Sequence, residues 1–155
     1  MRAVLRDPVD HDKLQLLLPL TRAVFLLHEN GHDYVAKLQQ ISRLLGNPID
    51  QIDVLGAFGS TSADEFAKRL AIDWHAMLTD LSEPELLELL DAVCACRGDE
   101  TLIDYWVRCL SVNTGDGRIS DLIFWPEAYF GAAYDGRELA PGEMLEVVLR
   151  KRRME

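Results

Sequence analysis

Apolar residues recur every three or four positions through most of the chain, which is the spacing of one face of an α-helix. The clearest example ends at Gly46, a typical helix stop, and its apolar positions are Tyr34, Val35, Leu38, Ile41, Leu44 and Leu45. No segment has the alternation of apolar and polar residues that marks a half-buried strand. The pattern therefore predicts an all-α fold.

Helix-start and helix-stop residues divide this pattern into segments. Ser62 and Ser82 each stand three residues before a glutamate, the spacing of a capping box. Pro19 predicts a kink or a fresh start within its helix. The sequence predicts helices over 11–29, 32–45, 48–57, 62–78, 82–96, 100–112, 120–125 and 140–153. A soft boundary at 79–82 suggests two small helical bundles, 1–80 and 81–155.

The segment 119–126 reads Ile-Ser-Asp-Leu-Ile-Phe-Trp-Pro and predicts a helix only about one turn long. Ser120 can cap the helix through its hydroxyl. The carboxylate of Asp121 lies in the first turn, where the helix dipole favours a negative charge. Pro126 stops the helix, because it has no amide hydrogen and clashes with the preceding turn.

Two large aromatic residues, Phe124 and Trp125, stand at the end of this short helix. Adjacent helical positions point about 100° apart, so the two rings are not expected to face one core, and we expect one of them at the surface. An exposed aromatic ring beside a fixed carboxylate is typical of a protein-binding hot spot. The alternative is that both rings fill the core beneath a loop.

The charge pattern favours a basic protein as partner. The formal net charge is −10, and residues 81–149 contain 14 acidic and 4 basic residues. Such a field disfavours direct phosphate contacts with nucleic acid and attracts basic proteins. Equally, acidic charge can simply keep a protein in solution.

The chain shows no sign of export or of membrane insertion. Its N-terminus lacks the apolar core of a signal peptide, and Pro19 and Arg22 interrupt the apolar runs 16–20 and 23–27. We therefore expect a cytoplasmic protein that does not span a membrane. The three cysteines, Cys94, Cys96 and Cys109, are expected to be reduced thiols that fill the core.

Residues 82–153 resemble the small four-helix immunity proteins that neutralise DNase colicins and pyocins. Ser82-Glu-Pro-Glu-Leu-Leu-Glu-Leu-Leu90 resembles the family's first helix, and 100–112 resembles its acidic second helix. Ser120-Asp-Leu-Ile-Phe-Trp-Pro126 resembles the signature Ser-Asp-Leu-Ile-Tyr-Tyr-Pro of its third helix. Leu139-Ala-Pro-Gly-Glu-Met-Leu-Glu-Val-Val148 resembles its fourth. Residues 1–80 lie outside this resemblance and look weakly like an uncharacterised bacterial helical domain of unknown role.

The resemblance implies a protein that binds a basic nuclease toxin, of the HNH DNase type, without catalysis, cofactor or metal. The hot spot it implies comprises Asp121, Phe124 and Trp125, with Ser120 and Pro126 as flanking contacts. The second helix would select the toxin, and the matching positions are Ile103, Asp104, Val107 and Ser111.

The chain departs from the family at several points. Phe124-Trp125 replaces the usual tyrosine pair, and the His-Pro before the signature is absent. Both changes leave the toxin class open, and the sequence does not give the oligomeric state.

The helical period sorts the second helix into faces. Leu102, Trp106 and Leu110 form a core stripe, with Ile103 and Val107 beside it. The outward face comprises Asp104, Tyr105, Arg108 and Ser111.

Two other functions remain open. His28-Glu-Asn-Gly-His32 fits the zinc-peptidase pattern H-E-x-x-H, in which both histidines lie on one helical turn. Against this, Asn30-Gly31 is typical of a helix end, which would place His32 on the next helix. The second alternative is an acidic regulator, or DNA mimic, that binds another basic protein.

Overall fold

The computed structural model describes residues 1–154. Within that range the secondary structure consists of helices and two isolated β-bridges, with no strand, which confirms the all-α prediction. The helices are α1 (Ala3–Arg6), α2 (His11–Glu29), α3 (Val35–Leu45), α4 (Gln51–Ala57), α5 (Ala63–Leu70), α6 (Glu83–Cys94), α7 (Glu100–Thr114), α8 (Ile119–Phe124), α9 (Pro126–Phe130) and α10 (Pro141–Met154), with a 3₁₀ turn at Gly131–Ala133.

The chain forms two compact units. Residues 8–73 make one, here called the insert unit. Residues 1–7 join the chain from Trp74 onwards to make the other, here called the main unit. The sequence suggested one division between residues 80 and 81, whereas the structure assigns the first seven residues to the same unit as the C-terminal helices.

The insert unit is closed by pairing of the two segments that lead into and out of it. Val9 forms an antiparallel bridge with Ile72, and the Asp10 amide donates a 2.9 Å hydrogen bond to the Ala71 carbonyl. Because Ala71 and Ile72 take part in this pairing, α5 ends at Leu70. The predicted continuation of α5 to Leu78 is therefore wrong.

Helix α2 packs against α5 in the insert unit. The Arg22 guanidinium donates two hydrogen bonds, of 2.8 and 2.9 Å, to the Asp64 carboxylate between these helices. Pro19 lies within α2 without ending it, so α2 is one helix and not two. Its fully buried side chains are Leu17, Thr21 and Val24.

The main unit is organised around α7. The indole Nε1 of Trp106 donates a buried 2.7 Å hydrogen bond to the Leu5 carbonyl, which fixes the N-terminal segment on this helix. The guanidinium of Arg2 adds ion pairs of 2.9 Å to Asp80 and 2.8 Å to Glu85. The Glu85 carboxylate thus pairs with Arg2 and accepts a hydrogen bond from the Ser82 hydroxyl. The Ser82 hydroxyl oxygen in turn accepts a hydrogen bond from the Glu85 amide, which caps the start of α6.

The segment of the main unit that follows the insert, beginning at Trp74, is also fixed on α7. The Tyr105 ring lies edge-on to the Trp74 ring at 6.0 Å, and Arg108 Nε donates to the Trp74 carbonyl at 3.1 Å. Tyr105 is therefore only 3% exposed. The prediction that Tyr105 faces outward is wrong, because the chain around Trp74 covers that side of α7.

The cysteines differ from the expectation. Cys109 is buried as predicted, but Cys94 and Cys96 are exposed. Cys94 is the last residue of α6 and Cys96 lies beyond its end, so neither occupies a core position of the helix.

We expect Trp106→Phe to destabilise the protein, since it removes the indole donor that is bonded to the Leu5 carbonyl. A buried carbonyl left without a partner costs about 1–3 kcal/mol. The matched control is Trp125→Phe on an exposed ring, which should stay within about 0.5 kcal/mol of wild type. Urea unfolding measures both, and equal losses for the two variants would contradict this role for Trp106.

We also expect the main unit to fold after excision of the insert. The paired segments at Val9–Ile72 bring the two ends of the insert together, so a short Gly-Ser linker can join Asp7 to Trp74. Circular dichroism should show a helical protein with one cooperative thermal transition. A non-cooperative transition would show that the main unit depends on residues 8–73.

Candidate functional site

The predicted short helix is present as α8, six residues from Ile119 to Phe124. Pro126 stops it as expected, and it also begins the five-residue α9, because proline fits the first position of a helix. The predicted Ser120 cap is wrong: the N-cap residue is Arg118, with no side-chain capping bond, and Ser120 lies half-buried inside α8. Between the two helices Trp125 adopts a non-helical backbone, with φ −139° and ψ 66°.

Both aromatic rings of the segment are at the surface. Phe124 is 42% exposed and Trp125 is 57% exposed, and their rings meet edge-to-face with centroids 5.8 Å apart. Ile119 and Leu122 supply the buried face of α8 instead. The expectation that one ring is exposed is confirmed, the second ring is exposed as well, and the core-filler alternative is wrong. Because Trp125 leaves the helical conformation, its ring does not follow the 100° rotation that would separate it from Phe124.

Arg118 braces this segment. Its Nε lies 3.4 Å from the Asp121 carboxylate, and its guanidinium donates to the Ala128 carbonyl. The same guanidinium lies 5.4 Å from the centre of the Tyr129 ring, within cation–π range. Arg118 therefore links the start of α8 to α9 and orients the carboxylate of Asp121, which is half-buried together with the flanking Pro126.

Asp116 is the buried centre of this support, at 5% exposure. Its carboxylate accepts hydrogen bonds from the Tyr129 hydroxyl at 2.6 Å and the Arg118 amide at 2.9 Å, and Lys151 Nζ lies 3.5 Å away. Burial by itself would raise the pKa of Asp116. The bonds from Tyr129 and Arg118 and the charge of Lys151 outweigh it, so the pKa lies below its ordinary value.

Two cations lie close to the ring of Tyr129. The ammonium of Lys151 on α10 is 5.4 Å from the ring centre, as is the guanidinium of Arg118. The sequence does not predict this arrangement, because Gly115-Asp-Gly117 and 127–138 have the composition of turn-rich segments. No local pattern pairs Asp116 with Tyr129 or with Lys151, which lie far along the chain.

The four residues predicted to select the partner lie on α7, which packs against α8. All four are half-buried, between the core stripe and the open side of the helix: Ile103, Asp104, Val107 and Ser111. Arg108 on the same helix is exposed. Asp121, Phe124 and Trp125 are thus gathered on one short segment, while the second set presents only part of its surface.

The H-E-x-x-H segment does not form one helical turn. Helix α2 ends at Glu29, Gly31 has a left-handed backbone with φ 71°, and His32 lies beyond the helix. His28 Nδ1 lies 3.2 Å from the Tyr34 hydroxyl. Across residues 1–154, no group of three or more histidine, cysteine, aspartate or glutamate side chains is arranged to hold a metal ion.

Comparisons of this chain with family models, with curated proteins and with solved structures give no match. Of the described helices, none combines the length and apolar character needed to cross a bilayer.

We expect Asp116→Asn to weaken the support of α8 and α9. The folded state holds this pKa below its ordinary value of 3.8, so the carboxylate stabilises the fold above that pH. The contribution is lost as the pH falls through the lower, folded-state pKa. At pH 7 the variant should lose about 1–3 kcal/mol, the usual cost of weakening bonds to a buried charged group.

Urea unfolding at pH 7 and pH 3 measures this effect. Wild type should lose more stability than Asp116→Asn between these pH values. The control is Glu127→Gln, an exposed carboxylate on α9, which should follow wild type at both. A difference between wild type and Asp116→Asn that is the same at both pH values would contradict the linkage.

Proposed function

We propose that this protein is an immunity protein that binds and inhibits the nuclease domain of a bacteriocin or polymorphic toxin. The observation that carries the proposal is the exposed Phe124–Trp125 pair on a braced turn of helix in an acidic segment. Inhibition is stoichiometric, without chemistry on a substrate. It takes place in the cytoplasm, where the toxin would reach the cell's own DNA.

The geometry of the pair suits a binding anchor. Two adjacent exposed rings leave apolar area in contact with water, and covering that area on binding is favourable. The bonds from Arg118 and Asp116 hold the turn in place before the partner arrives, so less conformational entropy is lost on association. A central aromatic residue of this kind typically costs about 2 kcal/mol or more when truncated.

Opposite charge on the two proteins would raise the association rate constant. Residues 81–149 carry 14 acidic and 4 basic residues, and a nuclease domain that binds DNA is basic. Opposite fields accelerate the encounter, and salt screens them over about 8–10 Å. The DNA substrate is then excluded by the bulk of the bound protein and by repulsion between like charges.

The second helix would tune the choice of toxin. Ile103, Asp104, Val107 and Ser111 are half-buried, so each can offer only part of its side chain to a partner. We assign them a smaller share of the binding energy than the two open rings. Differences between toxins would act mainly through Asp104, because charged groups in an interface favour partners of complementary charge.

The acidic excess also favours one other candidate, a regulator that mimics DNA and binds another basic protein. The two candidates differ in what governs affinity. For a DNA mimic, charge dominates and loss of one ring changes little. For the proposed immunity protein, the rings dominate the stability of the complex and charge dominates its rate of formation.

We expect Trp125→Ala and Phe124→Ala each to weaken binding to the nuclease toxin encoded beside this gene by about 30-fold or more, the equivalent of about 2 kcal/mol. The control is Leu87→Ala on α6, which removes a side chain of similar exposure, 40%, away from the site. It should bind as wild type does. Calorimetry gives the affinities, and a plasmid-nicking assay gives inhibition.

Raising the salt concentration should slow association while leaving dissociation nearly unchanged. If both ring variants bind and inhibit as wild type does, the anchor is elsewhere. If the neighbouring gene encodes no nuclease toxin, or wild type fails to inhibit it, the proposed function is wrong.

A further inference from the structure

The C-terminal end of α6 places two exposed thiols beside a thioether. Cys94 is the last residue of α6, and its Sγ lies 3.9 Å from Sδ of Met144, a buried residue on α10. Cys96 follows after one residue and is also exposed. Two sulfur-containing side chains, those of Cys94 and Met144, are thus in contact where α6 packs against α10 in the main unit, and the third, that of Cys96, follows two positions along the chain.

The backbone at Cys96 is unusual. Its φ is 51°, and within residues 1–154 it is the one non-glycine residue with a positive φ. The Cys96 amide bonds the Val93 carbonyl and the Arg97 amide bonds the Ala92 carbonyl, both at 3.0 Å, a helix-ending motif in which glycine is usual. A side chain in this left-handed conformation is strained, and strain of this kind clusters at functional sites.

Thiolate and thioether sulfur are soft ligands. They select Cu(I) over hard cations such as Mg²⁺ or Ca²⁺, which prefer oxygen. From the three side chains at this helix end, we propose that Cys94, Cys96 and Met144 form a binding site for a soft monovalent cation, Cu(I). On binding, the two thiols release their protons to solvent and form two S–Cu bonds, while the thioether donates a lone pair without a proton change.

The surroundings favour a cation. Although the Cys94 residue is exposed as a whole, its sulfur is partly covered where it contacts Met144, and this partial burial raises the pKa of the thiol. The negative charges of Asp91 and Glu138 raise that pKa further. The same carboxylates attract a positive ion to the sulfurs. The Arg97 guanidinium, 3.0 Å from Asp91, offsets part of this field, but both members of that pair are more than half exposed and therefore strongly screened.

The test is an anaerobic titration of the reduced full chain with Cu(I), in competition with the chromophoric chelator bicinchoninate. Wild type should bind one equivalent. Cys94→Ser, Cys96→Ser and Met144→Leu should each weaken binding by about tenfold or more. Met144→Leu conserves side-chain volume, and circular dichroism will confirm that each variant is folded.

Cys109→Ala is the matched control, because it removes the buried thiol and should leave the affinity unchanged. X-ray absorption of the copper complex should show sulfur ligands alone. The proposal is overturned if wild type fails to compete with the chelator. It is equally overturned if Cys94→Ser, Cys96→Ser or Met144→Leu binds as wild type does, or if nitrogen or oxygen ligands dominate the spectrum. None of these outcomes depends on the toxin.

Discussion

The hydrogen bond from the Trp106 indole to the Leu5 carbonyl is the constraint on which the main unit depends. It joins the first residues of the chain to α7, although the whole insert lies between them in the sequence. The adjacent residue, Tyr105, packs against Trp74, where the chain re-enters the main unit after the insert. One turn of α7 thus fixes both ends of the main unit's divided chain, so this helix serves as a structural element as well as a candidate recognition element.

The same principle applies on a smaller scale to the candidate site. A six-residue helix has little stability of its own, because most helical stability in proteins comes from tertiary packing. Here α8 is held by its buried Ile119 and Leu122 and by the charged cluster around Asp116 and Arg118. That support allows Phe124 and Trp125 to stay exposed on a fixed backbone, which is what a recognition surface requires.

Much of this architecture could be predicted from the sequence because the signals were local. The 3–4 spacing of apolar residues, the Ser62 and Ser82 caps and Pro126 each act within a turn or two of their own position. Exposure of an aromatic ring beside Asp121 also followed from local geometry. The boundary at 79–82 and the continuation of α5 to Leu78 failed for the opposite reason, because pairing at Val9–Ile72 and the contact of Trp106 with Leu5 join residues far apart in sequence.

The polar support of the site could not be predicted for the same reason. Asp116 between two glycines looks like an ordinary turn residue, and only the fold brings Tyr129 and Lys151 to its carboxylate. The helical period predicts Tyr105 on the outward face of α7, because a periodic pattern cannot show that a second segment covers that face. A wrong prediction of exposure of this kind arises where a helix is packed on two sides.

The central claim is that the α8–α9 segment is the surface that meets the partner. Hydrogen–deuterium exchange of the protein, alone and bound to the nuclease toxin proposed as its partner, tests it most directly. The account predicts slower exchange in the complex at the backbone amides of 119–130, with the insert unit, 8–73, unchanged. Slower exchange confined to 8–73, with 119–130 exchanging as in the free protein, would contradict it.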